Sequence, residues 1–324
     1  MRRPPERSVA GRPGRPWAVR FGVLALLAFA ASGPAAAWHG RTHRWIAEAA
    51  AGRLPDSMPL FLRQAASDLG RAAIDPDVWR HDAAPALAAA TLSDHYFSLE
   101  RLAAAGWPER RDRFLRRLGE QGRDAGWIGT LPLAVAETSD RLALALAQHR
   151  CWPNDRGIQA RAIEHAGVLA HFAADLVQPL HSTIHHDGRA SPDGASPQDG
   201  SHVWSDRVIE LSLRDPVGVA RRVEPLAIDD VPAASRRLLQ ASHDRVDRAY
   251  AMIARVRQSE APPPRAVRRY ARERFRTGVG FVAGLWVEAW QRSAGIELPE
   301  WLAAARGEGA APQAGCGATS EAGE

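Results

Sequence analysis

His171 and Asp175 stand four residues apart in an otherwise apolar stretch that runs from Val168 to Leu180. On a helix, residues four apart share a face, so the two side chains address one place. An imidazole and a carboxylate buried without partners are costly. Any fold of this chain must therefore bring further polar groups, or a metal ion, to that face. The alternatives, a hydrogen-bonded His–Asp pair or a metal site, are both open at this point. His181 follows ten residues after His171, ~280° around an ideal helix, which would turn it away. Pro179 lies between them, and proline kinks or ends a helix. The sequence thus predicts a kink that returns His181 to the same cavity.

Other candidates repeat the same donor chemistry. His202-Val-Trp-Ser-Asp206 is a second pair at helical spacing. His95 lies in Asp94-His95-Tyr-Phe-Ser-Leu-Glu100, an acidic turn reads Asp75-Pro-Asp77-Val-Trp-Arg80, and His43 opens an early helical stretch. A single histidine in any of these places is ordinarily a surface or satisfied core residue; their joint occurrence is what points to a shared site. Cys151 and Cys316 are the only cysteines. They are too few and too far apart for a thiolate-rich zinc finger, so a metal would be held by His and Asp. Export would permit a bridge between them.

Ala-rich amphipathic stretches predict helices over 41–53, 56–69, 109–120, 130–149, 156–178, 202–214, 232–258 and 264–291. Alternating β-branched runs are missing, so strands have little support. The fold class expected is all-α, a single-domain helical bundle over 38–304, with a disordered tail at 305–324. A long polar loop at 185–201 separates two of the helices, and loops of that length are often functional or mobile. His185, His186 and His165 read as solvated or structural. Trp127, Trp152, Trp204 and Trp286 read first as core.

Residues 1–37 differ in kind. Six arginines (Arg2, Arg3, Arg7, Arg12, Arg15 and Arg20) precede the apolar run Phe21–Ala31, and Ala35-Ala36-Ala37 supplies small residues. A basic region, a short apolar core and an A-x-A site read as a secretory signal peptide; the run is shorter than the roughly 20 residues of a spanning helix. The chain is thus expected to be secreted or periplasmic, with cleavage after Ala37. The whole chain carries +5, and the leader, with its six arginines against Glu6, accounts for it. The remainder is near neutral, which removes the hint of nucleic acid that the sequence pI of about 10.1 gives. Cleavage would also leave Trp38 with a free α-amino group. Its amine and carbonyl oxygen can chelate a cation, because a divalent ion displaces the amine proton near neutral pH.

Trp38, His43, Asp77, His95, His171-x3-Asp175-x5-His181 and His202-x3-Asp206, in that order, resemble the zinc-dependent phospholipase C and single-strand-specific zinc nuclease superfamily. The resemblance spans residues 38–206, about half the chain. It implies an all-helical fold around a trinuclear zinc site. One ion would take Asp77, His95, His171 and Asp175. A second would take His181, His202 and Asp206. A third would take the Trp38 amine and carbonyl, His43 and Asp175, which makes Asp175 a bridge. Asp77 is preferred to Asp75 because Asp77-x-x-Arg80 is similar to the family's motif. Asp175 and Asp77 are the expected catalytic residues, with zinc activating water for attack on phosphorus and Asp94 near enough in sequence to assist.

The superfamily's two branches differ in substrate. The nuclease branch carries a Gly-Gly-Asn segment soon after the position of His181, and this chain does not; its loop scatters Gly188, Gly194 and Gly200. His95-Tyr-Phe-Ser-Leu-Glu100 is closer to the phospholipase C branch. The expectation is a phosphodiesterase leaning toward phospholipid, with no obligate protein partner. A nuclease or nucleotidase acting on single-stranded nucleic acid is the alternative, and a non-catalytic zinc-binding protein the third.

Overall fold

The computed structural model describes residues 40–259 and 262–306. The expected signal peptide, Trp38, Cys316 and most of the expected tail lie outside them. The described chain is all-α. Its helices are α1 (Gly40–Ala51), α2 (Leu60–Gln64), α3 (Ala66–Ala72), α4 (Asp75–Val78), α5 (Pro85–Thr91), α6 (Leu102–Ala105), α7 (Arg111–Glu120), α8 (Ala125–Ile128), α9 (Leu131–Cys151), α10 (Arg156–Val177), α11 (Ser201–Ser212), α12 (Pro216–Ala220), α13 (Val231–His243), α14 (Val246–Arg257), α15 (Arg265–Arg292) and α16 (Trp301–Ala305). Short 3-10 turns cover Leu92–His95, Leu99–Arg101, Pro179–Ser182 and Ser293–Gly295. Extended pairing among the described residues is limited to one antiparallel bridge, Phe97 with Gly129. No described helix is long and apolar enough to cross a membrane.

Helix α10 runs through the middle, packed against α9, α3, α15, α1 and α13. Asp155 caps its start, its carboxylate accepting the Ile158 N–H at 2.9 Å. From Ala166 to Val177 every residue is buried, so a helix with no polar face fills the centre, as expected of one surrounded by other helices. Trp286 of α15 is fully buried against it and donates its indole N–H to the Ala166 carbonyl at 3.0 Å. Gly167 permits the closest approach: a Cβ there would lie 2.4 Å from Ala72 Cβ and 2.9 Å from the Leu69 carbonyl. The missing side chain lets α3 press on α10 one turn before His171.

The predicted helices differ from the observed ones in two informative places. The stretch 56–69 is two helices, α2 and α3, and begins only at Leu60. Pro59 disfavours helical backbone at Met58, which rules out a start at Asp56. The stretch 232–258 is divided between α13 and α14 at Asp244 and Arg245. There the last turn of α13 bonds to the end of α10: Ser242 Oγ donates to the Leu176 carbonyl at 2.7 Å, and the His243 Nδ1–H to the Ser182 carbonyl at 3.0 Å. The Leu176 carbonyl lacks its usual helical donor, since the Leu180 N–H is given to Gln178 Oε1 at 2.7 Å. Tertiary satisfaction of a helix end thus sets the break.

Candidate metal centre

Helix α10 stops at Val177, and Pro179 opens a 3-10 turn rather than a kinked continuation. The turn brings His181 Nδ1 to 3.3 Å from Asp175 Oδ1. The expected return of His181 to the cavity therefore occurs through termination of the helix. The neighbouring segment carrying His95 is clamped on both sides. The Phe97 N–H donates to the His181 carbonyl at 2.8 Å, and the Ser98 N–H to the Ile128 carbonyl at 2.7 Å. Gly129 has φ of 96°, and a Cβ there would sit 2.0 Å from the Tyr96 carbonyl oxygen, so this crossing requires glycine.

Asp175 is the hub. Its carboxylate lies 3.2 Å from His95 Nδ1, 3.3 Å from His171 Nε2, 3.3 Å from His181 Nδ1 and 3.5 Å from His43 Nε2. His43, His171 and Asp175 are wholly buried. One donor atom from each of His95, His171 and Asp175 lies within 4.8 Å of the others, and the same is true of His43, Asp77 and His171. His43 and His171 stack, with centroids 3.9 Å apart and planes 14° apart. Thus five of the expected ligands, His43, Asp77, His95, His171 and Asp175, form two overlapping trios that share His171. His43 sits with Asp77 here, where the resemblance had placed it on a different ion.

The second pair is less convergent. His181 and His202 lie face to face, centroids 4.9 Å apart, and Asp206 follows one turn along α11. Among the described residues these three do not form a trio of that tightness. Stacked rings hold their faces together and leave their nitrogens side by side. Asp77 rather than Asp75 joins the cluster: Arg80 Nη1 holds Asp77 Oδ1 at 3.4 Å, whereas burial and Glu164 raise the Asp75 carboxyl. Asp94 is engaged elsewhere, accepting from Arg111 Nη2 at 2.9 Å and Thr130 Oγ1 at 2.6 Å, a network that steadies the turn leading to His95.

Carbonyl groups set two tautomers, because a carbonyl can only accept. His171 Nδ1–H donates to Ala73 O at 2.9 Å, and His181 Nδ1–H to His95 O at 2.5 Å. Each ring therefore keeps Nε2 for a further partner. These supports were not identified in the sequence, and backbone carbonyls leave no trace there. Asp187 and Gln178 were missed too. Asp187 is buried and accepts the His202 N–H at 2.9 Å, capping α11 from outside the helix. No spacing rule marks such a contact.

The electrostatics favour a charged Asp175 among imidazoles that are mostly pushed toward their neutral form. Burial opposes the Asp175 carboxylate, but His181 and His171 outweigh it and hold the group well below the usual range. Burial lowers His43 and His202 far, His171 and His181 adding respectively, and lowers His95 and His181 against the pull of Asp175. His171 alone is raised, since the Asp175 and Asp77 carboxylates and the Ala73 carbonyl overcome burial. Asp206 is pushed well up by burial and by Asp77, Asp175 and Glu210, with the Gln178 amide only a partial offset.

The donor set fits a divalent cation. His95 Nε2, His181 Nε2, His202 Nδ1, Asp77 Oδ2 and Asp175 Oδ1 are all buried without a hydrogen bond. Such orphaned lone pairs are rare in native interiors. Imidazole nitrogens and carboxylate oxygens are the donors zinc accepts.

No protein-family model and no curated protein matches the chain. Among solved structures it is similar to the alpha-toxin of Clostridium perfringens from avian strain SWCP, with a TM-score of 0.40 and 12% sequence identity, covering 80% of this chain and 65% of that one. It is also similar to the alpha toxin of Clostridium absonum, with a TM-score of 0.38 and 13% identity, covering 80% of this chain and 66% of that one. The chain spans just under two thirds of the length of each toxin.

Proposed function

We propose that this chain is a secreted zinc hydrolase that cleaves phosphodiesters, with phospholipid head groups as the favoured substrate. One observation carries the reading: a single buried carboxylate, Asp175, within 3.5 Å of nitrogens from four histidines. A purely structural His–Asp pair needs one such contact, not four. In this reading Asp77, His95, His171 and Asp175 hold one ion, with His43 and the Trp38 amine and carbonyl beside Asp175 holding another. His181, His202 and Asp206 hold the third.

Zinc held by these residues would supply Lewis acidity, lowering the pKa of water and drawing charge from the phosphate. The chain's own groups prepare for that. Asp175 orients the imidazoles, the Ala73 and His95 carbonyls fix which nitrogen each offers, and Arg80 holds Asp77 in place. The Asp77 side chain is 13% exposed, the most accessible of the five clustered residues, so substrate approaches from its side.

The test uses protein beginning at Trp38 and loaded with zinc, offered phosphatidylcholine and single-stranded DNA in parallel. Release of phosphocholine, abolished by a chelator, is the expected result. Cleavage of DNA alone would transfer the assignment to a nuclease. Zinc retained with neither substrate cut would leave a non-catalytic zinc protein.

A further inference from the structure

A second site lies on the far side of α11. On one side of α11 His202 stacks on His181; Trp204, two residues (~200°) around the helix from His202, faces a cleft of about 1070 Å³ between α11, α12, α14 and α15. Six arginines line it: Arg214, Arg221, Arg257, Arg268, Arg272 and Arg276. Asp215 is the one carboxylate lining it among the described residues, and its Oδ1 accepts the Gly218 N–H at 2.8 Å to cap α12.

Among the described residues the six arginines outnumber the one carboxylate of the lining. Arg268, Arg272 and Arg276 stand at successive four-residue steps on α15, where like charges repel. Glu273 is the sole acid between Pro262 and Val287. It faces Arg245, Arg248 and Arg274 at 3.3, 3.2 and 3.0 Å. Arg257 meets Asp199, its Nη2 donating to the carbonyl at 3.0 Å, and Arg268 donates to the Pro263 carbonyl. Arg214, Arg221, Arg272 and Arg276 have no ion pair among the described residues. Four exposed arginines gathered in one concavity fit oxygen-rich anions, which guanidinium groups grip bidentately.

The rim narrows the class of anion. Leu211, which lines the cleft, is 53% exposed, and Val217 on the adjoining α12 is 64% exposed. Aliphatic side chains standing in water beside an arginine cluster suit an interface with phosphate at one level and hydrocarbon just beneath it. A free phosphate or a nucleic-acid backbone would give Leu211 and Val217 nothing to touch.

We propose that this face docks the protein onto an anionic phospholipid surface, lipid phosphates entering the arginine cleft and Leu211 and Val217 entering the acyl boundary. The docking is separate from the metal cluster and stands with or without hydrolysis.

The test is vesicle flotation of the full mature chain, zinc-loaded and chelator-treated in parallel. Phosphatidylcholine vesicles are compared with an equal mixture of phosphatidylcholine and phosphatidylglycerol. Both protein forms should float with the mixed vesicles and not with phosphatidylcholine alone. The variant R268Q/R272Q/R276Q should lose at least roughly tenfold in partitioning, each arginine near such a surface contributing materially. L211S/V217S should lose severalfold while keeping the salt dependence. Circular dichroism and hydrolysis of a soluble chromogenic phosphodiester should be unchanged in both variants, which separates lost docking from lost folding. Wild-type protein that stays with neither vesicle, or a triple variant that floats like wild type, overturns the proposal. So does a single-stranded oligonucleotide that binds the wild type and is released by R268Q/R272Q/R276Q but not by L211S/V217S.

Discussion

His171 gives its Nδ1–H to the carbonyl of Ala73 across the contact between α10 and α3, at 2.9 Å. The bond turns Nε2 of His171 toward Asp175 and His95. It exists because Gly167, one turn earlier, lets α3 come close enough. The His/Asp cluster is thus tied to a packing decision four residues away.

Gly167→Ala tests that tie. Its Cβ would overlap Ala72, and α3 would have to move. Overpacking of this kind costs about 1–3 kcal/mol, read as a lower urea midpoint. Displacing the Ala73 carbonyl should also weaken zinc binding by about 10–100-fold, the usual effect of losing a partner of a ligating histidine. A destabilised protein with unchanged zinc affinity would detach His171 from the packing.

Asp175→Asn removes the charge that four histidines share. Zinc content of the purified protein should fall, and phosphodiester hydrolysis should drop by at least about 100-fold. Asp206→Asn should cost less zinc, since Asp206 touches no such hub. Metal analysis of the two variants side by side decides it; equal losses would deny Asp175 its bridging place.

The metal-free protein should be acid-sensitive in a defined window. An unfolded histidine titrates near pH 6.5. Burial holds His43, His95, His181 and His202 below that in the fold. The unfolded chain then binds more protons, so stability falls as pH drops through and below about 6.5. Asp175, also depressed, contributes above the ordinary carboxylate range and is lost only at still lower pH. His171 and Asp206 have the opposite sign: the stability they give is present at low pH and lost as pH rises. Four groups against two predict a lower urea midpoint at about pH 5.5 than at about pH 7.5 in chelator-treated protein. Zinc-loaded protein should lose stability more steeply over the same range, because protons compete with the metal for the same nitrogens.

Trp38 lies outside the described residues, and the role proposed for it can be tested directly. A form extended by one methionine ahead of Trp38 should bind less zinc and hydrolyse more slowly, since the amine is then an amide and cannot coordinate. Equal zinc and equal rates in the two forms would end the case for the amine.

Much of the centre was legible because its chemistry is carried by side chains at regular spacing. His171 and Asp175 share a helix face whatever surrounds them, and Pro179 marked the place where the chain had to turn. The manner of the turn was not legible. Termination in place of a kink depends on Gln178 taking the Leu180 N–H and on Ser242 replacing it, and Ser242 is 66 residues away. The long helices α9, α10 and α15 were visible through their apolar spacing. Helices of four or five residues such as α4, α6 and α8 complete too little of a period to be seen, although α4 is what presents Asp77. The supporting carbonyls of Ala73 and His95 belong to the backbone, which every residue has.

The loop over 185–201 is closed on itself at its base. The Asp187 carbonyl accepts from Ser196 Oγ at 2.7 Å and from the Asp199 N–H at 3.2 Å, while its carboxylate holds the His202 N–H at 2.9 Å. Its tip, around Ser191 to Ala195, hangs beyond that knot. Length can therefore be gained or lost at the tip without transmitting displacement to His202, and lengthening a loop costs only a logarithmic increment of entropy. The knot separates what must stay constant from what is free to diverge. New approaches to the same His/Asp cluster can be tried by insertion at the tip, in a laboratory or in a lineage, with the cluster's position left unchanged.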